Sequence, residues 1–153
     1  MRKVAVIGSS GAIGSAFVDH YINDQSINSI FSFSRSSIGI DNNKVKHFSI
    51  DIENENSVQD AAKSVEEINF DEIIIASGLL HTNEFGPEKS IKDLKADNIL
   101  KILNVNTVGP AIIGKHFLPL LNKNNKSVMA FLSARVGSIS ENKLGGWYAS
   151  VSY

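Results

Sequence analysis

The fold of this 153-residue chain is decided by the stretch Val4-Ala5-Val6-Ile7-Gly8-Ser9-Ser10-Gly11-Ala12-Ile13-Gly14. The four aliphatic residues predict a buried strand, and three glycines at three-residue spacing follow it at once. Glycines so spaced allow a tight turn, let the backbone approach a pyrophosphate, and let the next helix pack closely on the strand. A helix beginning there points free N–H groups at phosphates. The stretch therefore predicts nucleotide binding, with a purely structural turn as the alternative; no Gly-Lys-Ser/Thr follows, which excludes a Walker A motif.

Aliphatic runs recur along the chain with helix-length segments or loops between them. After the first strand they occupy residues 30–34, 45–50, 73–76 and 128–132. This alternation is typical of βαβ units, and mostly continuous apolar runs indicate strands covered on both faces. We therefore predict an α/β fold, a Rossmann-type doubly wound parallel sheet flanked by helices, forming one domain over residues 1–153.

Two helical segments carry further signals. Ser57 and Asp60 resemble a capping box for the helix after the third strand. Residues 97–121 are apolar around more than one face, which is typical of a helix buried on several sides, and Pro110 should kink or restart that helix near Val108. Its second apolar face could serve core burial or a subunit contact, and the second use predicts a homo-oligomer.

Composition limits the classes of partner. A net charge of −1, with 42% hydrophobic and 20% charged residues, is ordinary for a soluble globular protein and gives no basic stripe for nucleic acid. The chain has no cysteine, so neither a disulfide nor a thiolate metal site is expected, and the first apolar run is too short for a signal peptide or membrane span. We predict a cytoplasmic protein without a metal, nucleic-acid or membrane partner.

The end of the second predicted strand favours one cofactor over another. Ser34-Arg35-Ser36 stands about twenty residues after the glycine loop, where NAD-binding folds usually carry an acid for the ribose 2′-hydroxyl. An arginine flanked by hydroxyls suits a 2′-phosphate, which favours NADP(H) over NAD(H). The alternative is a solvated surface arginine, although arginine is rare here, at positions 2, 35 and 135 alone.

Two more segments lie at predicted carboxyl ends of strands, where doubly wound sheets bind ligands. Asp51 and Ile52 follow the third strand, and Ala76-Ser77-Gly78 follows the fourth. Asp51 could accept a hydrogen bond from an adenine amino group, and the small turn could let a cofactor lie against the backbone. Each alone is more often a loop or cap residue, but in register with the glycine loop and Arg35 they predict cofactor contacts.

Taken together, these motifs resemble those of the short-chain dehydrogenase/reductase family. The resemblance rests on the order of the glycine loop, Asp51, Ala76-Ser77-Gly78, Asn106, Ser133 and then tyrosine, and the segments at 106–110 and 132–139 look like its C-factor (cell-cell signalling) branch. It implies that Ser133 binds the substrate carbonyl oxygen and that the backbone of Asn106 holds a proton-relay water. The alternatives are a strand-end cap for Ser133 and a locally bonded helix residue for Asn106.

The family resemblance also implies a catalytic tyrosine, and two positions compete for it. Tyr153 could match the Ser-Tyr step of the branch, or Tyr148 could begin a degenerate Tyr-x-Ala-Ser-Lys motif in which Ser152 replaces the lysine. A serine carries no charge to lower a phenol pKa. Because family members run about a hundred residues further, we expect a C-terminally truncated or cut-down chain whose sheet ends after the fifth strand.

The sequence leaves two functions open. The first is an NADP(H)-dependent reductase that transfers hydride to a small carbonyl compound, with tyrosine as the acid. The second is a non-catalytic NADP-binding sensor or interaction module, favoured by the missing lysine. An S-adenosylmethionine binder would explain the glycine loop but not Ser133 and the tyrosine.

Overall fold

The structure, a computed structural model, describes residues 2–134 and 146–151, apart from the side chains of Ser150 and Val151. Five parallel strands form one sheet in the order β3-β2-β1-β4-β5. Their bounds are β1 Arg2–Ile7, β2 Ile27–Ser34, β3 Val45–Ser49, β4 Glu72–Ile75 and β5 Val128–Phe131. This sheet confirms the predicted Rossmann-type fold, and each strand overlaps one of the aliphatic runs.

Helices cover both faces of the sheet. They are α1 Ala12–Asn23, α2 Glu55–Lys63, α3 Ala96–Leu103, α4 Gly109–Phe117 and α5 Tyr148–Val151. Alternate residues of β1 point to opposite faces: Val4 and Val6 pack with α1, whereas Ala5 and Ile7 pack with α2 and α4. Because all four are fully buried, the continuous apolar run of β1 is explained by two hydrophobic cores rather than one.

The core beneath α2 and α4 is rich in phenylalanine. Phe33 meets Phe117 edge to face with ring centroids 5.3 Å apart, and Phe31 meets Phe70 in the same manner at 5.1 Å. Such pairs prefer this geometry and add to the energy of burial. The Phe33–Phe117 pair holds α4 against β2 and so helps to determine where the segment before α4 lies.

The predicted capping box of α2 was wrong. The helix begins at Glu55, and the side chain of Asn54 caps it by accepting hydrogen bonds from the N–H groups of Asn56 and Ser57 at 3.0 and 3.4 Å. Ser57 instead uses its hydroxyl to accept a hydrogen bond from the N–H of Asp51 at 2.9 Å. Asn54 is as good a cap as serine, and it stands where the first free N–H groups are.

The segment predicted as one interrupted helix is interrupted, as expected, near Val108. A π-helical segment, Asn104–Val108, joins α3 to α4, and Pro110 lies in the first turn of α4. The interruption occupies the turn just before the proline, which has no N–H to donate to that turn. One face is buried through Ile102, Val105, Ile113 and Phe117, whereas Leu100, Val108 and Leu118 are exposed.

Within the described residues, every helix is too short or too polar to cross a membrane.

Candidate functional site

Two adjoining cavities lie at the carboxyl ends of the strands. The first, of about 340 Å³, contains four charged side chains and is called here the charged cavity: Arg35, Asp51, Glu53 and Lys101. The second, of about 400 Å³, has no charged side chain among its described lining residues and is called the uncharged cavity; it contains Asn106, Ser133 and Trp147. Gly11 and residues 76–79 line both. One elongated ligand could therefore reach from one cavity into the other.

The glycine loop forms the floor between the cavities, and two of its glycines cannot be replaced without movement. Gly8 has φ +87°, and a Cβ there would lie 2.7 Å from the nitrogen of Ser77. A Cβ on Gly14 would lie 2.1 Å from the carbonyl oxygen of Gly8. The loop is thus pressed between β4 and the start of α1. Gly11 at the N-cap provides no side-chain cap, which leaves N–H groups of the first turn for a ligand.

Ser9 was predicted to contact the cofactor, but its side chain is buried among residues of β2. It is fully buried, and its hydroxyl lies 2.9 Å from the Ser32 hydroxyl, 3.2 Å from the Phe33 carbonyl oxygen and 3.3 Å from the Ser34 hydroxyl. These bonds tie the loop to β2. Ser9 is absent from the described lining of both cavities, so its position suits a role in holding the glycine loop against β2.

The other predicted loop residues divide between the cavities. Ser10 and Gly11 line the charged cavity, while Ile13, which is 60% exposed, lines the uncharged one. Gly14 allows α1 to pack closely on the glycine loop.

At the end of β2, Ser34 and Arg35 line the charged cavity. Ser36 is exposed and is not among its lining residues, but its carbonyl oxygen accepts a hydrogen bond of 2.7 Å from the Ser34 hydroxyl. Arg35 is exposed and forms no ion pair with any residue in the described ranges. Its guanidinium is therefore available to an anionic group at the cavity rim.

The loop after β3 supplies a further part of the lining. Asp51 and Ile52 line the charged cavity, as predicted for a ligand-binding loop, and a carboxylate oxygen of Asp51 accepts a hydrogen bond of 3.1 Å from the N–H of Glu53. One carboxylate oxygen of Asp51 is thus engaged by the loop itself, and the side chain keeps a fixed direction.

Several lining residues were missed by sequence reasoning. Lys101 of α3 and Glu53 form an ion pair with Nζ and Oε1 2.5 Å apart, and the Asn104 amide donates to the same oxygen at 3.3 Å. Thr82 and Val105 complete this side of the charged cavity. No sequence signal marks them, because only the packing of α3 beside the β3 loop brings them to the site.

Ser77 provides a direct test of whether a ligand fits here. Its hydroxyl is buried and has no hydrogen-bond partner, and it is the one buried side-chain polar atom in that state within the described part of the chain. Ser77 lines both cavities. A buried hydroxyl without a partner is costly, so its position in the shared wall fits a ligand that supplies the missing hydrogen bond. The glycine loop, Arg35 and Ser77 together fit a dinucleotide.

The uncharged cavity brings Asn106 and Ser133 together. Asn106 lies in the π-helical segment, and its side chain bonds both backbone groups of Leu79 at 2.7 and 2.8 Å. Ser133 follows β5 and is exposed to the cavity. Tyr148 begins α5, is half-buried and is not among the described lining residues; Tyr153 lies outside the described residues.

Trp147 lines the same cavity and was given no role by sequence reasoning. It has φ +58°, and its N–H donates a hydrogen bond of 2.8 Å to the carbonyl oxygen of Glu88. A bulky side chain in the left-handed region is an outlier, and no sequence pattern predicts such a backbone conformation at a tryptophan.

No family model matches the chain. A UDP-glucose 4-epimerase from Rickettsia bellii is 30% identical in an alignment of 126 positions that covers 73% of this chain and 36% of that protein. A 1-hydroxy-2-glutathionyl-2-methyl-3-butene dehydrogenase from Rhodococcus sp. is 28% identical in an alignment of 102 positions that covers 65% of this chain and 42% of that protein. The chain thus spans well under half the length of the curated relatives it matches.

The solved structures are similar over nearly the whole chain. An NADPH-bound carbonyl reductase from chicken fatty liver superposes with a TM-score of 0.82 at 21% identity, covering 94% of this chain and 61% of that one. Other matching structures are also described as short-chain dehydrogenases or carbonyl reductases. The chain therefore has the Rossmann-type fold of the short-chain dehydrogenases and carbonyl reductases.

Proposed function

We propose that this chain is the cofactor-binding part of an NADP(H)-dependent oxidoreductase of the short-chain dehydrogenase/reductase type that acts on a small carbonyl compound or the matching alcohol. The observation that carries the proposal is the junction of the two cavities along residues 76–79, with Arg35 on one side and Ser133 on the other. NADP(H) carries its phosphates along the adenosine side and the pyrophosphate and has a phosphate-free ring at its reactive end, and the two cavities differ in the same sense.

The charged half would be held by the glycine loop and β2. The first turn of α1 offers N–H groups to the pyrophosphate, and Arg35 offers a planar guanidinium to a 2′-phosphate. Asp51 would accept a hydrogen bond from the adenine amino group, and Ser77 would gain the partner that its hydroxyl lacks. This arrangement supports NADP(H) in preference to NAD(H).

The reactive half would lie in the uncharged cavity. The bound nicotinamide cofactor supplies or accepts a hydride. Ser133 would donate a hydrogen bond to the substrate carbonyl oxygen, and Tyr153 or Tyr148 would give that oxygen a proton. Asn106, held by its side chain against Leu79, leaves its backbone to support a relay water. A tyrosine acid near neutral pH needs a nearby cation to lower its pKa, and no lysine follows Tyr148 in this chain.

Calorimetric titration tests the cofactor assignment. We expect NADPH to bind at least about tenfold more tightly than NADH, since a bidentate arginine–phosphate contact is a charge-assisted bond. Arg35→Ala should remove this preference and leave NADH affinity unchanged. Arg2→Ala, which deletes an arginine at the opposite end of β1, is the matched control. No binding tighter than about millimolar would reject the proposal, and a preference that survives Arg35→Ala would reject the role of Arg35.

A non-catalytic NADP-binding module is the second candidate, because no lysine or arginine appears among the described residues that line the uncharged cavity. The two candidates differ in turnover. NADPH oxidation with a panel of aldehydes and ketones would establish the reductase, whereas tight NADPH binding without turnover, also in a version extended by Arg-Ala-Ser-Lys and a complete C-terminal region, would establish the binding module.

The family branch, the cellular compartment and the partners predicted from the sequence belong to the same proposal. We expect residues 1–153 to act as one unit of the C-factor-like branch, in the cytoplasm, without a nucleic-acid partner. Exposed Leu100, Val108 and Leu118 support self-association through the helical segment 97–121. Sedimentation should then show a dimer or larger species that Leu118→Glu weakens; a monomer at all concentrations would reject this contact.

A further inference from the structure

We infer that Trp147 is a specificity-determining residue of the uncharged cavity, and that this cavity takes neutral carbonyl compounds or alcohols carrying a flat apolar group. The inference rests on the proposed function for the type of reaction. It adds the chemical class of substrate and the residue that selects it.

The backbone around Trp147 is held in an unfavourable conformation. Gly146 and Trp147 have φ of +74° and +58°. For glycine this costs little, but for tryptophan it is strained, and such strain persists only where the surroundings impose it. Strained residues of this kind cluster at ligand sites.

The carbonyl oxygen of Glu88 imposes the conformation. It accepts the hydrogen bond of 2.8 Å from the Trp147 N–H, and a Cβ on Gly146 would lie 2.8 Å from the same oxygen. Residue 146 must therefore be glycine for the chain to pass this close. Residues 146 and 147 are therefore both held against the backbone at Glu88.

This arrangement places the indole of Trp147 in the wall of the uncharged cavity. Trp147 is 38% exposed and lines the uncharged cavity together with Ile13, Leu80 and Leu132. A tryptophan placed only for core packing would be buried, and one placed only on the surface would not require a strained backbone. A partly exposed indole among aliphatic side chains offers a face on which a flat apolar group can stack.

The described lining of the cavity offers no counter-charge to a charged substrate. Ser133, Asn106 and Ser77 are its described polar side chains, and all are neutral. A carboxylate or phosphate entering it would lose water without gaining a counter-charge from the described lining. The Ser133 hydroxyl is available for a carbonyl or alcohol oxygen, while the Ser77 hydroxyl is assigned to the cofactor. The cavity therefore favours one polar oxygen attached to an apolar ring over an acid.

The chain contains a single tryptophan, so its fluorescence reports from this cavity alone. We would titrate the full chain with benzyl alcohol, 4-(hydroxymethyl)benzoate and propan-1-ol, with and without saturating NADP⁺. We expect saturable change in emission with benzyl alcohol and at least tenfold weaker binding of the other two. Equal affinity for the carboxylate would overturn the neutral-substrate assignment, and equal affinity for propan-1-ol would overturn the flat-group assignment.

Variants then test Trp147 itself, with ligand-observed NMR as the readout because Trp147→Ala and Trp147→Phe have no tryptophan. Benzyl alcohol affinity should fall about tenfold or more in Trp147→Ala and be largely restored in Trp147→Phe. Unchanged affinity in Trp147→Ala would overturn the inference.

A pair of glycine variants separates the position of the indole from backbone strain. Gly146→Ala should displace Trp147 and weaken benzyl alcohol binding. Gly39→Ala adds a methyl group at φ +64° with nothing within 4 Å, so it carries the strain without a contact to the site. Equal loss in both would overturn the role of Glu88.

NADPH calorimetry on each variant keeps the two proposals distinct. Absent NADPH binding in the unmodified chain would reject the proposed function, whereas the titration without NADP⁺ would still test the role of Trp147.

Discussion

The side chain of Asn106 closes two hydrogen bonds on the backbone of Leu79, accepting from its N–H at 2.7 Å and donating to its carbonyl oxygen at 2.8 Å. This pair joins the π-helical segment to the turn after β4, which is the wall shared by the two cavities. The amide satisfies both backbone groups of one residue, as a neighbouring strand would. Asn106 therefore fixes the turn that any ligand spanning the cavities must touch.

Replacing Asn106 should loosen this turn. In Asn106→Ala both backbone groups of Leu79 lose their partners, and we expect the free energy of unfolding to fall by about 1–3 kcal/mol. NADPH affinity should fall as well, because residues 76–79 line both cavities. The control is Asn23→Ala, which removes one exposed bond of 2.8 Å to the carbonyl oxygen of Asp19 at the end of α1. Urea denaturation and calorimetry measure the two effects; equal losses in the two variants would contradict this account.

Gly14 is expected to tolerate no side chain. The Cβ of an alanine there would stand 2.1 Å from the Gly8 carbonyl oxygen, so α1 must move away from the loop. Gly14→Ala should cost about 3 kcal/mol, at the upper end for overpacking, and should abolish NADPH binding. Gly86→Ala adds the same methyl group where nothing lies within 4 Å. We expect that control to change the unfolding free energy by less than about 0.5 kcal/mol; a Gly14→Ala variant as stable as the control would refute the packing argument.

The sheet could be predicted from sequence because its signal is local. A strand covered on both faces must be apolar at nearly every position, and β1 and β4 meet that condition within a few residues. The start of β2 at Ile27 was missed because Asn28 and Ser29 interrupt the apolar run. The cap at Asn54 was missed because Asn54 and Ser57, three residues apart, can both cap a helix, and only the helix start decides between them.

The site could be predicted only where one segment supplies the geometry. The glycine loop and Arg35 follow directly from strand ends, and both reach the charged cavity. Lys101 and Glu53 are 48 residues apart and meet through packing of α3, which no local pattern records. Ser9 looked like any loop hydroxyl, yet its hydrogen bonds to Ser32 and Ser34 hold it inside the fold.

Tyr21 should make stability depend on alkaline pH. Burial, and then the 2.6 Å hydrogen bond that its hydroxyl donates to Glu72, raise the pKa of this phenol well above its usual value. Because the folded pKa exceeds the unfolded value near 10, the neutral phenol contributes fully below about pH 10, and its contribution is lost as pH rises above it. Tyr21→Phe should cost about 1 kcal/mol at neutral pH.

The difference between the unmodified chain and Tyr21→Phe should therefore be constant from about pH 7 to 10 and shrink above that range. Urea denaturation at each pH measures it. Glu72→Gln keeps an acceptor for the phenol but removes its charge, and since burial is the larger cause of the pKa shift, most of the alkaline sensitivity should remain. A difference that stays constant to pH 11 would show that the phenol ionises alike in both states.

Lys101 should contribute to binding of the adenosine half of the cofactor and little to folding. Its ion pair with Glu53 is partly exposed, with side-chain exposures of 47% and 23%, so the pair itself is worth less than about 1 kcal/mol. In Lys101→Met, however, a cation leaves the charged cavity and the Glu53 carboxylate loses its partner beside an anionic ligand. We expect NADPH affinity to fall about three- to tenfold, or about 0.6–1.4 kcal/mol, with a weaker loss at high salt.

Two comparisons isolate this effect. Reduced nicotinamide mononucleotide lacks the adenosine half, so its affinity should be the same for Lys101→Met and the unmodified chain. Lys115→Met breaks a similar surface pair, with Glu55 at 2.7 Å, away from both cavities and should leave NADPH affinity unchanged. Calorimetry of the three proteins with NADPH and with reduced nicotinamide mononucleotide decides the matter. Equal loss for both nucleotides would place the effect of Lys101 on the fold rather than on the charged cavity, because only a folding defect would weaken a ligand that never reaches Lys101.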